Sequence, residues 1–219
     1  MGAGRALKGP NSPNTILRKK AEIHGDPLRE PRTAEGKNMK SVVVLLAPGF
    51  EEIEALTVVD VLRRAGVRVV AAGLREGLIT GSHDITVKPD TTLDKIRPEE
   101  FDMVVLPGGM PGTTHLRQDA RVKKLVADMA RAGRHTCAIC AAPVVLKDAG
   151  VARGKAVTSH PVMQEELKDL DYREDRVVTD DKVVTSRGPG TAMEFALELV
   201  RILAGQDKAA ELAAVMVVR

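Results

Sequence analysis

Along this 219-residue chain, short unbroken apolar runs alternate with longer stretches whose apolar residues recur with a helical period. Ser41-Val42-Val43-Val44-Leu45-Leu46-Ala47 shows no polar alternation, which predicts a strand buried on both faces, as in a parallel sheet. Pro48-Gly49 ends it. Ala55, Val58, Val59 and Leu62 then recur at i, i+3, i+4 and i+7, so residues 51–65 are expected to form an amphipathic helix closed by Gly66. Residues 67–74 read as a second strand. Residues 78–89, with Gly81 and alternating Ile85 and Val87, read as a hairpin at an edge. Residues 101–106 are a third buried strand, ended by Pro107-Gly108-Gly109-Met110-Pro111-Gly112, and paired glycines there let the backbone approach a neighbour closely.

Val122, Leu125, Val126 and Met129 give the next helix its apolar stripe, and Gly133 terminates it. Residues 134–140 return as a strand, followed at once by Ala141-Ala142-Pro143 and a helix over 141–149. Val157-Thr158 leads into Ser159-His160-Pro161, and Val177-Val178 with Val183-Val184 read as strands joined across Asp180-Asp181. Residues 186–190 turn into a helix over 191–204 with Phe195, Ala196, Leu199, Ile202 and Leu203 on its buried face, and a short helix from Asp207 closes the chain. The alternation of strand and helix predicts an α/β fold, a three-layer sandwich around a mostly parallel sheet.

Composition narrows the class. A hydrophobic content of 43% and a charged content of 29% suit an ordinary globular domain. The apolar runs are too short to cross a bilayer, so no membrane partner is expected. The length suits one well-cored domain over residues 41–219 plus an extension over 1–40. Of the net charge of +3, residues 1–40 carry nine Lys or Arg against four Asp or Glu, leaving 24 against 26 for the domain. The domain itself is therefore not basic. With no Trp, one Tyr and three Phe it also lacks stacking platforms, and direct nucleic-acid binding is not expected.

The extension is rich in Gly, Pro, Asn and charge and is expected to be disordered or loosely attached. Its first 21 residues carry Arg5, Lys8, Arg18, Lys19 and Lys20 without an acid. A transit segment to an organelle and an upstream extension before a start at Met39 both fit residues 1–38. Two cysteines three residues apart are too few for a secreted disulfide framework, which points to a reducing, cytoplasmic setting.

The residues that follow the strands carry the chemistry, because such loops gather at one sheet edge in open α/β folds. They are Glu51, Glu52 and Glu54 after the first strand, Gly108-Gly109 after the third, Cys140 after the fourth and His160 after the fifth. A lone cysteine is commonly a small buried hydrophobe. Cys140 instead stands at a strand-to-helix turn, where an elbow presents it as a nucleophile and a helix N-terminus is expected to lower its pKa. A disulfide with Cys137 is not expected: three extended steps separate the α-carbons by roughly 10 Å, beyond the limit of about 7 Å. Glu54 is either a solvated residue of the first helical turn or an acid facing the thiol, and burial there would raise its pKa and make it a proton donor. His160, extended before a proline, is either a base to Cys140 or a hydrogen-bonded loop residue. The five histidines are dispersed without HExxH spacing, so no metal is expected.

Five segments together resemble the DJ-one branch of the ThiJ/PfpI superfamily: residues 46–55 (LAPGFEEIEA), 60–66 (DVLRRAG), 105–109 (VLPGG), 138–143 (AICAAP) and 185–191 (TSRGPGT). The resemblance runs from about Ser41 to Arg219. It implies a flavodoxin-like sandwich, a homodimer, and a reactive Cys140 hydrogen-bonded to a protonated Glu54. It further implies backbone donors at Gly108, Gly109 and Ala141, and His160 close to the sulfur. The implied activities are glyoxalase-type conversion of methylglyoxal to lactate without glutathione or any cofactor, and deglycation of early adducts of dicarbonyls on proteins and nucleotides. Oxidation of the cysteine to sulfinate, chaperone action and protection from oxidative stress are the alternative role it implies. The chain departs from the pattern at Gly81-Ser82-His83, where relatives commonly carry a Cys and an Arg.

Overall fold

The computed structural model describes residues 39–218. The extension expected over residues 1–40 lies, save for Met39 and Lys40, outside the described residues. The strands are β1 (Ser41–Leu46), β2 (Arg68–Gly73), β3 (Ile79–Thr80), β4 (Thr86–Val87), β5 (Thr91–Thr92), β6 (Met103–Leu106), β7 (His135–Ile139), β8 (Ala156–Val157), β9 (Asp171–Tyr172), β10 (Val177–Asp180) and β11 (Val183–Ser186). The α-helices are α1 (Glu52–Arg64), α2 (Gly112–Gln118), α3 (Ala120–Arg131), α4 (Pro143–Asp148), α5 (Gln164–Leu167), α6 (Ala192–Ala204) and α7 (Gln206–Val215).

Seven strands form the main sheet in the order β10-β11-β7-β6-β1-β2-β5, parallel throughout except for β10, which runs antiparallel to β11. Helices cover both faces. On β1, Val42, Val44 and Leu46 pack with Ala55, Val58 and Leu62 of α1 and Phe195 and Leu199 of α6. Val43 and Leu45 point the other way, toward Val122, Val126 and Met129 of α3 and Val144 and Leu146 of α4. Successive side chains of a strand face opposite ways, so a strand covered on both sides is apolar on both faces, as β1 is from Val42 to Leu46. The three-layer α/β sandwich is thus the fold of the chain. Among the described residues no helix is long and apolar enough to cross a membrane.

Several local expectations are corrected. The hairpin β3–β4 does not extend an edge of the main sheet; it forms its own two-stranded sheet. Its backbone bonds run to the loop after β1, from Gly49 N–H to Thr80 O (2.8 Å) and from Ser82 N–H to Phe50 O (2.8 Å). Helix α2 was not expected, since Gly112, Thr113 and Thr114 are poor helix formers and no apolar period develops in seven residues. On α6 the fully covered positions are Ala192, Phe195, Ala196, Leu199 and Val200, whereas Ile202 and Leu203 are only partly covered. Both continue the stripe from Leu199 at i+3 and i+4 but fall in the last turn of the helix, before Gly205.

Candidate active site

Three loops at the carboxyl edge of β1, β6 and β7 converge. At the end of β7 the chain turns sharply, with Cys140 at φ 64°, a left-handed conformation that costs a non-glycine residue about 1–3 kcal/mol. Bonds on both sides hold it there: Cys140 N–H donates to Ser186 O (2.9 Å), and His160 N–H donates to Cys140 O (2.8 Å). The elbow read from the sequence is thus present, and its thiol is partly covered rather than buried within the sheet.

Glu54, one turn into α1, is completely buried. Helix α1 is fixed at this end by Glu51, whose Oε2 accepts the Glu54 N–H at 2.8 Å. The loop after β6 approaches closely because it carries glycine. A Cβ on Gly108 would lie 2.7 Å from Cys140 Cβ and 2.8 Å from Glu54 Oε2. Gly109, at φ 87°, would carry a Cβ 2.4 Å from Glu51 N. With glycine in place, Gly108 N–H donates to Glu54 Oε2 at 2.8 Å and Glu51 N–H donates to Gly108 O at 2.9 Å.

Burial pushes the Glu54 carboxyl up to about 7, and the charge of Glu51 adds to this, against the opposing bonds from Cys140 and Gly108. A raised Glu54 is the sense expected from the sequence. The thiol is not lowered as expected. Burial pushes Cys140 up, the neighbouring Glu54 carboxylate pushes it further, and bonds from the Gly109 and Ala141 amides oppose both. A full helix N-terminus is not what lies behind the sulfur: α4 has six residues and begins only at Pro143. Between about pH 7 and 12 the pair therefore carries a single negative charge, and below pH 7 none. When the proton resides on Glu54, the repulsion on the sulfur is gone and the two amides favour the thiolate.

Gly109 and Ala141 thus direct their amides at the sulfur, while the Gly108 amide is occupied by Glu54 and is not a free donor for a substrate oxygen. His160 reaches the site by another route than the sequence suggests. Strand β8 before it pairs only with β9, outside the main sheet, so His160 does not follow a main-sheet strand. Its ring is exposed and its Nδ1 accepts the Val162 N–H at 3.3 Å. Among the described residues no hydrogen bond joins that ring to the Cys140 sulfur. Cys137, on β7, is free and fully buried, and burial holds its thiol protonated.

The site is thus a buried carboxyl paired with an elbow cysteine under two backbone amides. The model of the DJ-1/PfpI family matches residues 40–202. The chain belongs to the DJ-1/PfpI family. Protein dj-1beta of Drosophila melanogaster is 46% identical over 177 residues, covering 80% of this chain and 95% of that protein. The crystal structure of Drosophila DJ-1beta superposes with a TM-score of 0.80 at 44% identity, over 83% of this chain and 99% of that one. The Caenorhabditis elegans protein named glutathione-independent glyoxalase DJR-1.2 is 36% identical over 172 residues, 77% of this chain and 91% of its own length. The flavodoxin-like fold of this family is therefore the fold of this chain.

Proposed function

We propose that the chain is a cysteine-dependent, glutathione-independent glyoxalase that also acts as a deglycase on early dicarbonyl adducts. The observation that carries this reading is the Glu54–Cys140 pair at the elbow, a nucleophile and a proton donor at one sheet edge. The glyoxalase name of the nematode relative supports the substrate class.

In this reading the Cys140 thiolate attacks the aldehyde carbon of methylglyoxal, and the developing oxyanion takes the Glu54 proton to give a hemithioacetal. The Glu54 carboxylate then moves the proton from the former aldehyde carbon, through an enediol, to the neighbouring carbon. The first carbon reaches the acid level as a thioester while the ketone becomes an alcohol, so no external electrons are needed. Water cleaves the thioester, releasing lactate and restoring the thiol. Glu54 serves both transfers, and the water step is assigned to His160, whose ring is exposed to solvent. The role is carbonyl-stress protection in the cytoplasm, as a homodimer. Exposed Ile53 and Leu56 on α1, with Ile85 beside them on the β3–β4 hairpin, support a pairing surface.

Lactate production from methylglyoxal without glutathione, compared between the wild type and Cys140→Ser, tests this reading. Loss of turnover in the variant is expected. Equal rates in the two would overturn it and favour the non-enzymatic alternative, a redox-sensing chaperone whose Cys140 is oxidised to sulfinate.

A further inference from the structure

Helix α2 carries neither member of the reacting pair, yet its first turn is bonded to the two loops that hold the pair. Gly112 N–H donates to Gly49 O at 3.1 Å, in the loop after β1, and Thr113 N–H donates to Gly109 O at 2.8 Å, in the loop after β6. One side chain of the helix joins these backbone bonds: His115 Nδ1 lies 2.9 Å from Pro48 O. A carbonyl oxygen only accepts, so Nδ1 carries the hydrogen and His115 is the donor. From this geometry we infer that His115 is a positioning residue, which fixes the loop after β1 and through it the placement of Glu54 against Cys140. The inference rests on Glu54 and Cys140 as the reacting groups, not on the identity of the substrate.

The bond acts at the root of a short, stiff path. Pro48 has no amide hydrogen, so its carbonyl is the one backbone group by which that residue can be held. Three residues on, Glu51 N–H donates to Gly108 O at 2.9 Å, and Glu51 Oε2 accepts the Glu54 N–H at 2.8 Å. Gly108 N–H closes the circuit by donating to Glu54 Oε2 at 2.8 Å. A shift of Pro48 is therefore passed to the first turn of α1, where the carboxyl stands.

The loop and α2 meet without slack. A Cβ on Gly49 would lie 2.4 Å from Pro111 Cδ, and one on Gly112 would lie 2.7 Å from Gly49 C. On its other side the loop is held by Gly49 N–H, which donates to Thr80 O at 2.8 Å. His115 itself is half-buried, so water competes only partly for the carbonyl. A reacting pair is far more sensitive to such a contact than the fold is, since a misplacement of about 1 Å costs on the order of 100-fold in rate.

Two kinds of substitution in the full chain test the role. His115→Ala and His115→Phe remove the donor, the second keeping a ring in the space. His115→Asn keeps it, because the amide nitrogen stands as many bonds from the main chain as Nδ1 does. The readouts are the rate of iodoacetamide alkylation of Cys140, kcat and KM for methylglyoxal, and the thermal melt. Without the donor, alkylation at pH 7 is expected to slow at least threefold and kcat to fall at least tenfold, with KM within threefold of wild type. His115→Asn should restore both rates to within twofold. A wild type that does not turn over methylglyoxal would overturn the glyoxalase reading and leave the alkylation rates to decide on His115. Alkylation unchanged in both donor-less variants, even with a lower melt, would assign His115 to stability alone and overturn the inference. So would a His115→Asn as slow as His115→Ala.

Discussion

The Gly108 amide donates to Glu54 Oε2 at 2.8 Å, and that bond sets which carboxyl oxygen is left for chemistry. Oε2 is engaged by the backbone, while Oε1 is buried and accepts nothing. A proton on Oε1 turns this unpartnered acceptor into a donor, on the carboxyl that pairs with Cys140. Gly108→Ala should break the arrangement, since the new methyl would meet both Cys140 Cβ and Glu54 Oε2 at under 3.0 Å. A shift of this size in a reacting pair costs on the order of 100-fold in rate. Methylglyoxal turnover by the variant, with its circular dichroism as a check on folding, measures this.

Replacing the carboxyl separates its two effects, on rate and on stability. In the folded protein the Glu54 carboxyl titrates at about 7 against an ordinary 4.5, so the folded state binds the proton more tightly than the unfolded chain. The stability associated with that proton is fully present below pH 4.5 and is lost as pH rises through 7. The cost at pH 8 is about 3 kcal/mol for a shift of this size. Glu54→Gln, which keeps an acceptor for Gly108, should therefore be more stable than the wild type at pH 8 and equal to it at pH 4. Turnover should fall by about 10²–10⁴-fold, the usual worth of a positioned general acid. Denaturant melts at the two pH values check the first expectation, and a variant no more stable at pH 8 would contradict it.

Much of this arrangement can be read from the chain, and the limits have physical causes. The unbroken apolar run Val42–Leu46 announces a doubly covered strand, and the stripe Val122, Leu125, Val126, Met129 is buried as its period requires. The cysteine's elbow follows from a strand running straight into Ala-Ala-Pro. The direction of an amide does not: the Gly108-Gly109 pair promises donors, but whether each faces a substrate, a sulfur or a carboxylate depends on a helix residue 54 positions away, Glu54. Likewise the pairing of Glu52 with His83, 31 residues on, leaves no local spacing in the sequence that announces it.

Strain at the elbow gives a third expectation. Cys140 sits at φ 64°, where glycine is at ease and a residue with a Cβ is not. Cys140→Gly should thus be at least as stable as Cys140→Ala, although glycine ordinarily costs about 0.5–1 kcal/mol relative to alanine in regular structure. Paired thermal melts of the two inactive variants decide it. A glycine variant melting well below the alanine one would mean that the turn is not held in this conformation.

The second cysteine should be dispensable for chemistry. Cys137 is completely buried on β7, its thiol kept protonated by its surroundings, and it packs in the cluster with Val105, Ile139 and Val184. Both cysteines are free. Cys137→Ala removes one sulfur from a packed interior, at a cost of roughly 1 kcal/mol by comparison with small truncations of core side chains. It should leave methylglyoxal turnover and the alkylation rate of Cys140 within twofold of wild type. A dithiol mechanism requires the opposite, since it would lose all turnover with either sulfur. Measuring both rates in Cys137→Ala and Cys140→Ser therefore separates a single nucleophile with a proton partner from a redox pair.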